Sequence, residues 1–183
     1  MAYPGKIISN NFTGQSILFL QTARETEGQL LEMESTYTPF SKEPAPHFHP
    51  YQQEIFTVVS GELTIRIDDD LVVLTPGQQL TIPKQTVHAM WNDSSHQTVV
   101  NWKVSPALET EEFLENAMGL ARDGKINKKG MPSILQVALM VPRYEDEFRL
   151  SKPSLLLQKI IFSLLKPFAL LAGLKASYKK YID

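Results

Sequence analysis

The sequence contains no cysteine. This excludes a disulfide framework, a thiolate metal site and a cysteine nucleophile, so any chemistry must use nitrogen and oxygen donors. The chain also lacks an excess of basic residues, because its formal net charge is −2 and its pI is about 6.1. Binding the phosphate backbone of a nucleic acid requires a basic surface. We therefore expect no nucleic-acid partner.

A secretory signal is also missing from the start of the sequence. The residues MAYPGKIISNN show no charged region followed by an apolar run of about 7 to 15 residues. A cytoplasmic location is therefore the default expectation. Hydrophobic residues make up 43% of the 183 residues. A chain of this size can bury roughly 70% of its unfolded surface, which is enough for one good core.

The pattern of apolar residues changes near Pro106. Before it, short segments rich in β-branched and aromatic residues alternate with turn residues, which is typical of an all-β sandwich or barrel. After it, the apolar spacing becomes helical. We therefore predict a mostly β protein, with a barrel over residues 1–105 and an α-helical extension over 106–183. The predicted strands cover residues 16–23, 29–38, 54–60, 62–68, 71–75, 79–83, 87–91 and 97–104. The predicted helices cover residues 109–124, 132–150 as one broken helix or two short helices parted at Pro142, and 154–174.

Two of the four histidines stand one residue apart in the stretch PHFHPYQQEIFTVVSG. On a strand, His47 and His49 project from the same face, as two ligands of one ion must. Glu54 follows at an odd offset from His49, so the chain must bend within PYQQ if the carboxylate is to join them. If a neighbouring strand brings His88 across from the pair, three imidazoles and one carboxylate converge. That donor set suits one divalent transition metal, namely Fe, Mn, Ni, Cu or Zn.

Two runs of residues resemble the two motifs of the cupin superfamily. The first run reads His47-x-His49-x4-Glu54-x6-Gly61, and the second reads Gly77-x5-Pro83-x4-His88-x3-Asn92. The resemblance covers residues 28–104. One position departs from the family pattern, because the second motif usually has glycine two residues after the proline and this chain has Gln85. That departure puts the shape of the loop before His88 in doubt.

The resemblance implies a jelly-roll β-barrel that holds one metal ion inside. The implied metal ligands are His47, His49, Glu54 and His88. The chain looks like the mononuclear cupin dioxygenases, in which the metal polarises a small organic substrate and Glu54 would act as the catalytic proton acceptor. Two alternatives stay open: a small-molecule binding or sensing module without turnover, and a cupin isomerase or lyase.

Two further residues are candidates for the pocket. Phe56 shares strand parity with Glu54, and Met90 shares it with His88, so both are expected to point into the barrel near the metal. The alternative for both is ordinary core packing. His96 lies in the polar turn NDSSHQ, and we expect it to be exposed and to bind no metal.

The last predicted helix carries a continuous apolar stripe from Leu156 to Phe168. Lys159 and Lys166 lie on another side, and a lysine near the centre of a membrane span costs roughly 2.5 to 3.5 kcal/mol. We therefore expect the stripe to pack on the helix at 132–141 and on the outside of the barrel, or on a sister subunit. Peripheral membrane contact through residues 155–174 is the alternative.

The resemblance also extends to the habit of small cupins to pair through barrel edges. We expect a homodimer, and the segment SILFLQTA provides a strand that could extend a sheet across subunits.

Overall fold

The computed structural model describes residues 1–128 and 130–182. Ten of its strands lie before the helices. They are β1 (Ile7–Asn10), β2 (Gln15–Gln21), β3 (Leu31–Tyr37), β4 (His47–Phe48), β5 (Gln53–Ser60), β6 (Leu63–Ile67), β7 (Asp70–Leu74), β8 (Gln79–Ile82), β9 (His88–Trp91) and β10 (Thr98–Ser105). The remaining elements are α1 (Thr110–Arg122), α2 (Ile134–Arg143), β11 (Arg149–Leu150), α3 (Leu155–Leu171) and α4 (Lys179–Ile182).

The strands form two antiparallel sheets. One sheet has the order β1-β2-β3-β10-β5-β8, and the other has the order β11-β4-β9-β6-β7. This confirms the predicted mostly β fold, with helices following the barrel. The strand β11 comes from the C-terminal part of the chain but pairs with β4 of the barrel. The division into units 1–105 and 106–183 stays a prediction.

The main hydrophobic core lies between the two sheets. Strands β3 and β10 show why, because every second residue of each is buried while its neighbours are partly exposed. Such a period of two is expected for strands with one face on a core. The inward residues of β10 include Val100, Trp102 and Val104.

The turn at the end of β5 requires glycine, as the motif predicted. Gly61 has a φ of 76°, and a Cβ atom there would lie 2.4 Å from the carbonyl oxygen of Gln97. A side chain at this position would therefore both strain the backbone and collide with a neighbouring loop.

Helix α1 packs against β1, and Lys6 pairs with the buried Glu115 at 2.5 Å. Helix α2 begins at Ser133, whose side chain caps the backbone N–H of Gln136 at 3.2 Å. The predicted break at Pro142 is wrong, because the helix continues to Arg143. A proline this close to the last residue removes only one terminal hydrogen bond.

The segment RYEDEFRL was also predicted to be helical, and that prediction is wrong beyond its first residue. Residues 144–147 form turns, and Arg149 and Leu150 form β11. Contacts with the barrel decide the conformation here, since Phe148 stacks on the imidazole ring of His47 with centroids 4.8 Å apart.

Helix α3 packs against α2 along one side only. Gln158, Phe162 and Ala169 are buried there. The opposite side is uncovered, with Leu156 72% and Leu164 67% exposed. The expectation that α2 and the barrel would cover the whole apolar stripe is therefore wrong within this chain. Among the described residues, no helix has both the length and the apolar character needed to cross a membrane.

Strand β2 is not free to extend a sheet across subunits. It pairs with β1 on one side and with β3 on the other, so its backbone groups are used within the chain. The short strand β1 forms that edge of the sheet instead.

Candidate metal centre

The two sheets together bring the four predicted ligands into one place. His47 on β4 lies directly across from His88 on β9 in the five-stranded sheet. The chain bends at Pro50 and Tyr51, as the spacing predicted, and then enters β5 of the six-stranded sheet. This bend carries Glu54 to the facing side of the barrel, while His49 remains at the end of β4.

The distances among these groups are those of a compact donor cluster. Glu54 Oε2 lies 2.7 Å from His88 Nε2 and 3.3 Å from His49 Nε2. Ligand nitrogens of His47, His49 and His88 all lie within 4.8 Å of one another. Each of the four residues is at most 9% exposed. The structure therefore brings together every predicted ligand in a buried position.

Backbone carbonyls fix the orientation of all three imidazoles. Nδ1 of His47 lies 3.0 Å from the carbonyl oxygen of Ala45, and Nδ1 of His88 lies 2.9 Å from that of Thr86. Nδ1 of His49 contacts the carbonyl oxygen of Glu147. A carbonyl oxygen only accepts, so each Nδ1 carries the proton and each Nε2 is left with its lone pair. Such lone pairs are what a metal ion binds.

Several buried polar atoms of the cluster have no hydrogen-bond partner. They are Nε2 of His49, Nε2 of His88 and Oε2 of Glu54. Leaving a buried polar group unsatisfied costs about 1 to 3 kcal/mol, and more when it is charged. A divalent cation would satisfy all three atoms at once, because carboxylate oxygen and imidazole nitrogen are its usual ligands. The residues present therefore fit a metal ion.

The electrostatics of the cluster favour the metal-binding form of His47 and Glu54 and oppose it at His49. Burial lowers the pKa of His47 well below its ordinary value, and the neighbouring His88 and His49 lower it further. Burial opposes the charged form of Glu54, but His49 and His88 outweigh burial and hold the pKa of that carboxyl well below its usual range. Burial likewise works to lower the pKa of His49, and the Glu54 carboxylate outweighs it and raises that pKa. Metal ligands must be neutral imidazoles and ionised carboxylates.

Trp102 on β10 supports the metal centre, although neither sequence motif includes it. Its Nε1–H donates a hydrogen bond of 3.0 Å to Oε1 of Glu54. Oε1 is thereby held, while Oε2 faces the imidazoles. The ring of Trp102 in turn stacks on Phe56, with centroids 5.7 Å apart.

Gln52 is a second supporting residue that the motifs did not indicate. Its Nε2 donates to the carbonyl oxygens of Pro106 and Ala107 and to the hydroxyl of Thr110, at 2.7 to 3.0 Å. These three acceptors fix the amide orientation, and Gln52 Oε1 is left buried without a partner. Gln52 also raises the pKa of His49, after the larger effects of burial and Glu54.

The C-terminal part of the chain covers the cluster from one side. Besides the contact between Glu147 and His49, Phe148 stacks on His47 and also on Phe113 of α1, with centroids 4.8 Å apart in both pairs. No sequence signal marks this cover, because about a hundred residues separate it from the motif it contacts.

The two predicted pocket residues are both buried in the main core. Phe56 is 0% and Met90 is 7% exposed, and both belong to the cluster between the sheets. Phe56 contacts the metal centre only indirectly, because its ring stacks on Trp102, which donates a hydrogen bond to Glu54. A role for Phe56 and Met90 in lining a pocket stays a prediction. His96 is exposed in its turn, as expected.

The loop that departs from the family pattern keeps the shape that glycine would give it. Gln85 has a φ of 66°, in the left-handed region. Its backbone N–H donates a 2.8 Å hydrogen bond to the carbonyl oxygen of His49. The substitution has therefore not removed the turn before His88, and it ties that turn to a predicted ligand.

A buried cluster of three imidazoles and a carboxylate, set between two antiparallel sheets, defines the metal-binding class of jelly-roll barrels. Residues 33–102 match the cupin domain family. The barrel belongs to the cupin superfamily.

Several curated proteins are similar in sequence to part of this chain. An oxidoreductase of Arthrobotrys oligospora is 31% identical over 107 residues, which are 54% of this chain and 42% of the relative. A probable oxidoreductase, patJ, of Aspergillus clavatus is 31% identical over 139 residues, 69% of this chain and 42% of the relative. Quercetin 2,3-dioxygenase of Bacillus subtilis is 31% identical over 77 residues, 42% of this chain and 23% of that enzyme. The chain thus spans well under half the length of these relatives.

Solved structures are similar over the barrel. KdgF from Halomonas sp. aligns with a TM-score of 0.49 at 17% identity, over 57% of this chain and 89% of that one. An RmlC-like cupin from Shewanella frigidimarina aligns with a TM-score of 0.48 at 21% identity, over 57% of this chain and 86% of that one.

Proposed function

We propose that this chain is a metal-dependent oxidoreductase, similar to the mononuclear cupin dioxygenases, that acts on a small organic molecule. The observation that carries the proposal is the buried cluster of three imidazoles with inward Nε2 atoms around one carboxylate. The relatives named as oxidoreductases and as a dioxygenase support the same class. These relatives match only over part of their length, so the proposed reaction is inferred mainly from the geometry of the site.

The proposed ion is one divalent first-row transition metal. Nε2 of His47, His49 and His88 and a carboxylate oxygen of Glu54 would hold it. When bound, the metal would act as a Lewis acid that polarises an oxygen-bearing substrate. Fe, Mn, Ni, Cu and Zn all suit these ligands.

Glu54 is the proposed proton acceptor. Its two oxygens have different surroundings, because Oε1 accepts the hydrogen bond from Trp102 while Oε2 faces the imidazoles. If Oε2 detaches from the metal, it can take a proton from a bound substrate while the hydrogen bond from Trp102 holds Oε1. The lowered pKa keeps Glu54 ionised at neutral pH, so the carboxylate is free to accept a proton, although a low pKa also makes it a weak base.

The proposed substrates are small aromatic or enolisable compounds that carry oxygen. On the side at His47 the cluster is bordered by the ring of Phe148, which stacks between His47 and Phe113, so the wall there is aromatic. Such rings favour planar ligands. Phenols and diketones combine a planar frame with the oxygen atoms that a metal binds.

The test begins with protein purified without chelators. We expect elemental analysis to find one metal per chain and a panel of phenols and diketones to contain a compound that drives O₂ uptake. His88→Ala should lose both metal and uptake. His96→Ala is the matched control, since this histidine is exposed and outside the cluster, and it should keep both.

Two outcomes would overturn the proposal. Metal bound without O₂ uptake would assign the site to a binding or sensing module. Substrate conversion at the metal without O₂ uptake would assign it to an isomerase or lyase.

We also propose that the chain forms a homodimer. The short edge strand β1 carries the exposed Ile7, at 66%, and is the edge of the six-stranded sheet at that end. Light scattering at micromolar concentration should give twice the chain mass, and a monomer would contradict this proposal. The cytoplasmic location remains a prediction from the sequence alone.

A further inference from the structure

The outer face of α3 is a large uncovered apolar surface. Two or more turns of the helix expose leucine, isoleucine and phenylalanine side chains that no described residue of this chain covers. The exposed fractions are Leu155 39%, Leu156 72%, Leu157 46%, Ile160 51%, Leu164 67%, Phe168 61%, Leu170 56% and Leu171 86%. Contiguous apolar surfaces of more than a few hundred Å² mark an interaction site. This face, from Leu155 to Leu171, is called here the α3 apolar face.

The segment of the chain that contains the α3 apolar face carries charge of one sign. Residues 150–182 contain six lysines and no acidic residue. Residues 1–149 contain 19 acidic and 12 basic residues, so the rest of the chain is acidic. The positive charge is thus concentrated in the same segment as the exposed apolar surface.

Two of these lysines flank the α3 apolar face itself. Lys159 and Lys166 are seven residues apart, so they form one row along the helix. Around the helix they lie about 60° to 80° from Leu156 and about 140° to 160° from Leu164, and both are exposed. Lysines in that position can extend their charged ends to lipid headgroups while the apolar side chains enter the membrane.

A second copy of the chain fits this surface less well than a lipid surface does. A symmetric contact between two α3 helices would place the lysines of one copy near those of the other. No acidic residue between 150 and 182 is present to compensate them. Anionic headgroups would supply the missing negative charge, at about 1 kcal/mol for each lysine near the surface.

We propose that α3 docks on an anionic lipid surface and lies in the plane of the membrane. The helix of 17 residues is about 26 Å long, and no described helix is both long and apolar enough to cross the membrane. The proposal is independent of the oxidoreductase function, because it rests on the exposure and the charge of the C-terminal segment.

The experiment measures sedimentation of the full chain with vesicles. Vesicles of phosphatidylcholine alone are compared with vesicles that also contain phosphatidylserine, at low and high salt. We expect binding to the anionic vesicles that weakens with salt. Lys159→Gln with Lys166→Gln should lower the partition coefficient about 30-fold, from about 1 kcal/mol per lysine. Leu156→Ser with Leu164→Ser should lower it about 100-fold.

Matched control variants alter the barrel instead. Arg24→Gln with Lys84→Gln removes the same charge from exposed positions, and Leu71→Ser with Val73→Ser removes apolar side chains that are 56% and 52% exposed on β7. Neither pair should change vesicle binding. Circular dichroism confirms that each variant is folded.

Three results would overturn the proposal. The full chain could fail to sediment with anionic vesicles at low salt. The control pairs could reduce binding as much as the α3 pairs do. The chain could form a dimer that Leu156→Ser with Leu164→Ser dissociates, without vesicle binding, which would assign the α3 apolar face to a second copy.

Discussion

Replacing Trp102 with phenylalanine removes one hydrogen bond from the metal centre and also shortens a buried side chain. The lost bond joins Nε1 to Oε1 of Glu54 at 3.0 Å, and the acceptor residue is 1% exposed. A hydrogen bond to a buried charged group contributes about 1.5 to 3 kcal/mol. Phenylalanine cannot donate, and little water can reach the carboxylate to replace the bond.

Trp91 provides the matched control for this substitution. Trp102 and Trp91 are both 7% exposed, and the ring of Trp91 contacts Arg66 on the other side of the strand from the cluster. Trp91→Phe therefore measures the cost of shortening a buried indole. The difference between the two variants isolates the hydrogen bond.

We expect Trp102→Phe to lower the free energy of unfolding by about 1.5 to 3 kcal/mol more than Trp91→Phe does. For a chain of this length, that difference corresponds to a melting temperature lower by about 3 to 12 °C. Metal affinity should fall about 10- to 100-fold in Trp102→Phe only, because the bond orients a ligand. Urea unfolding and metal titration measure the two effects. Equal unfolding free energies and equal metal affinities in the two variants would refute the reasoning.

Four other predictions follow from the described contacts. Adding metal at a thousand times its dissociation constant should raise the free energy of unfolding by about 4 kcal/mol in calorimetry, and His88→Ala should abolish the increase. Gln85→Gly should stabilise the chain in urea by about 0.5 to 1 kcal/mol, because the residue has a φ of 66°; a loss of stability would contradict it. Burial raises the pKa of Tyr37 to about 12. Its neutral phenol therefore stabilises the folded chain fully below about pH 10, the ordinary pKa of tyrosine, and this contribution to the free energy of unfolding is lost as pH rises through 12. An absorbance titration in which all tyrosines ionise near 10 with the chain still folded would contradict this. Phe148→Ala should speed metal release to a chelator, whereas Phe40→Ala, at a residue that is 67% exposed, should not.

The sequence predicted the strands because a half-buried strand leaves a period of two. Residues 29–38 and 97–104 contain β3 and β10 almost to the residue. The period does not report which strands are neighbours, so the place of β2 inside the sheet was not predictable. The two residues of β11 are too few for any period, and their pairing with β4 depends on a contact across about a hundred residues.

The sequence predicted those features of the candidate site that depend on the spacing of side chains along the chain. The spacing from His47 to Glu54 predicted a bend in the chain, and the structure has that bend at Pro50 and Tyr51. The carbonyl oxygens that orient the imidazoles belong to the backbone, and residue type does not reveal where they point. The inward orientation of Trp102 follows the period of two along β10, but its hydrogen bond to Glu54 depends on the pairing of β10 with β5, which that period does not report.

The cover over the metal centre has a consequence for how the protein is made. Glu147 and Phe148 contact His49 and His47, yet the ribosome adds them about a hundred residues later. A nascent chain that ends before Glu147 has its four ligands but lacks the carbonyl that orients His49 and the ring that shields His47. The candidate metal site is therefore completed late in synthesis, only after the C-terminal segment has folded back onto the barrel.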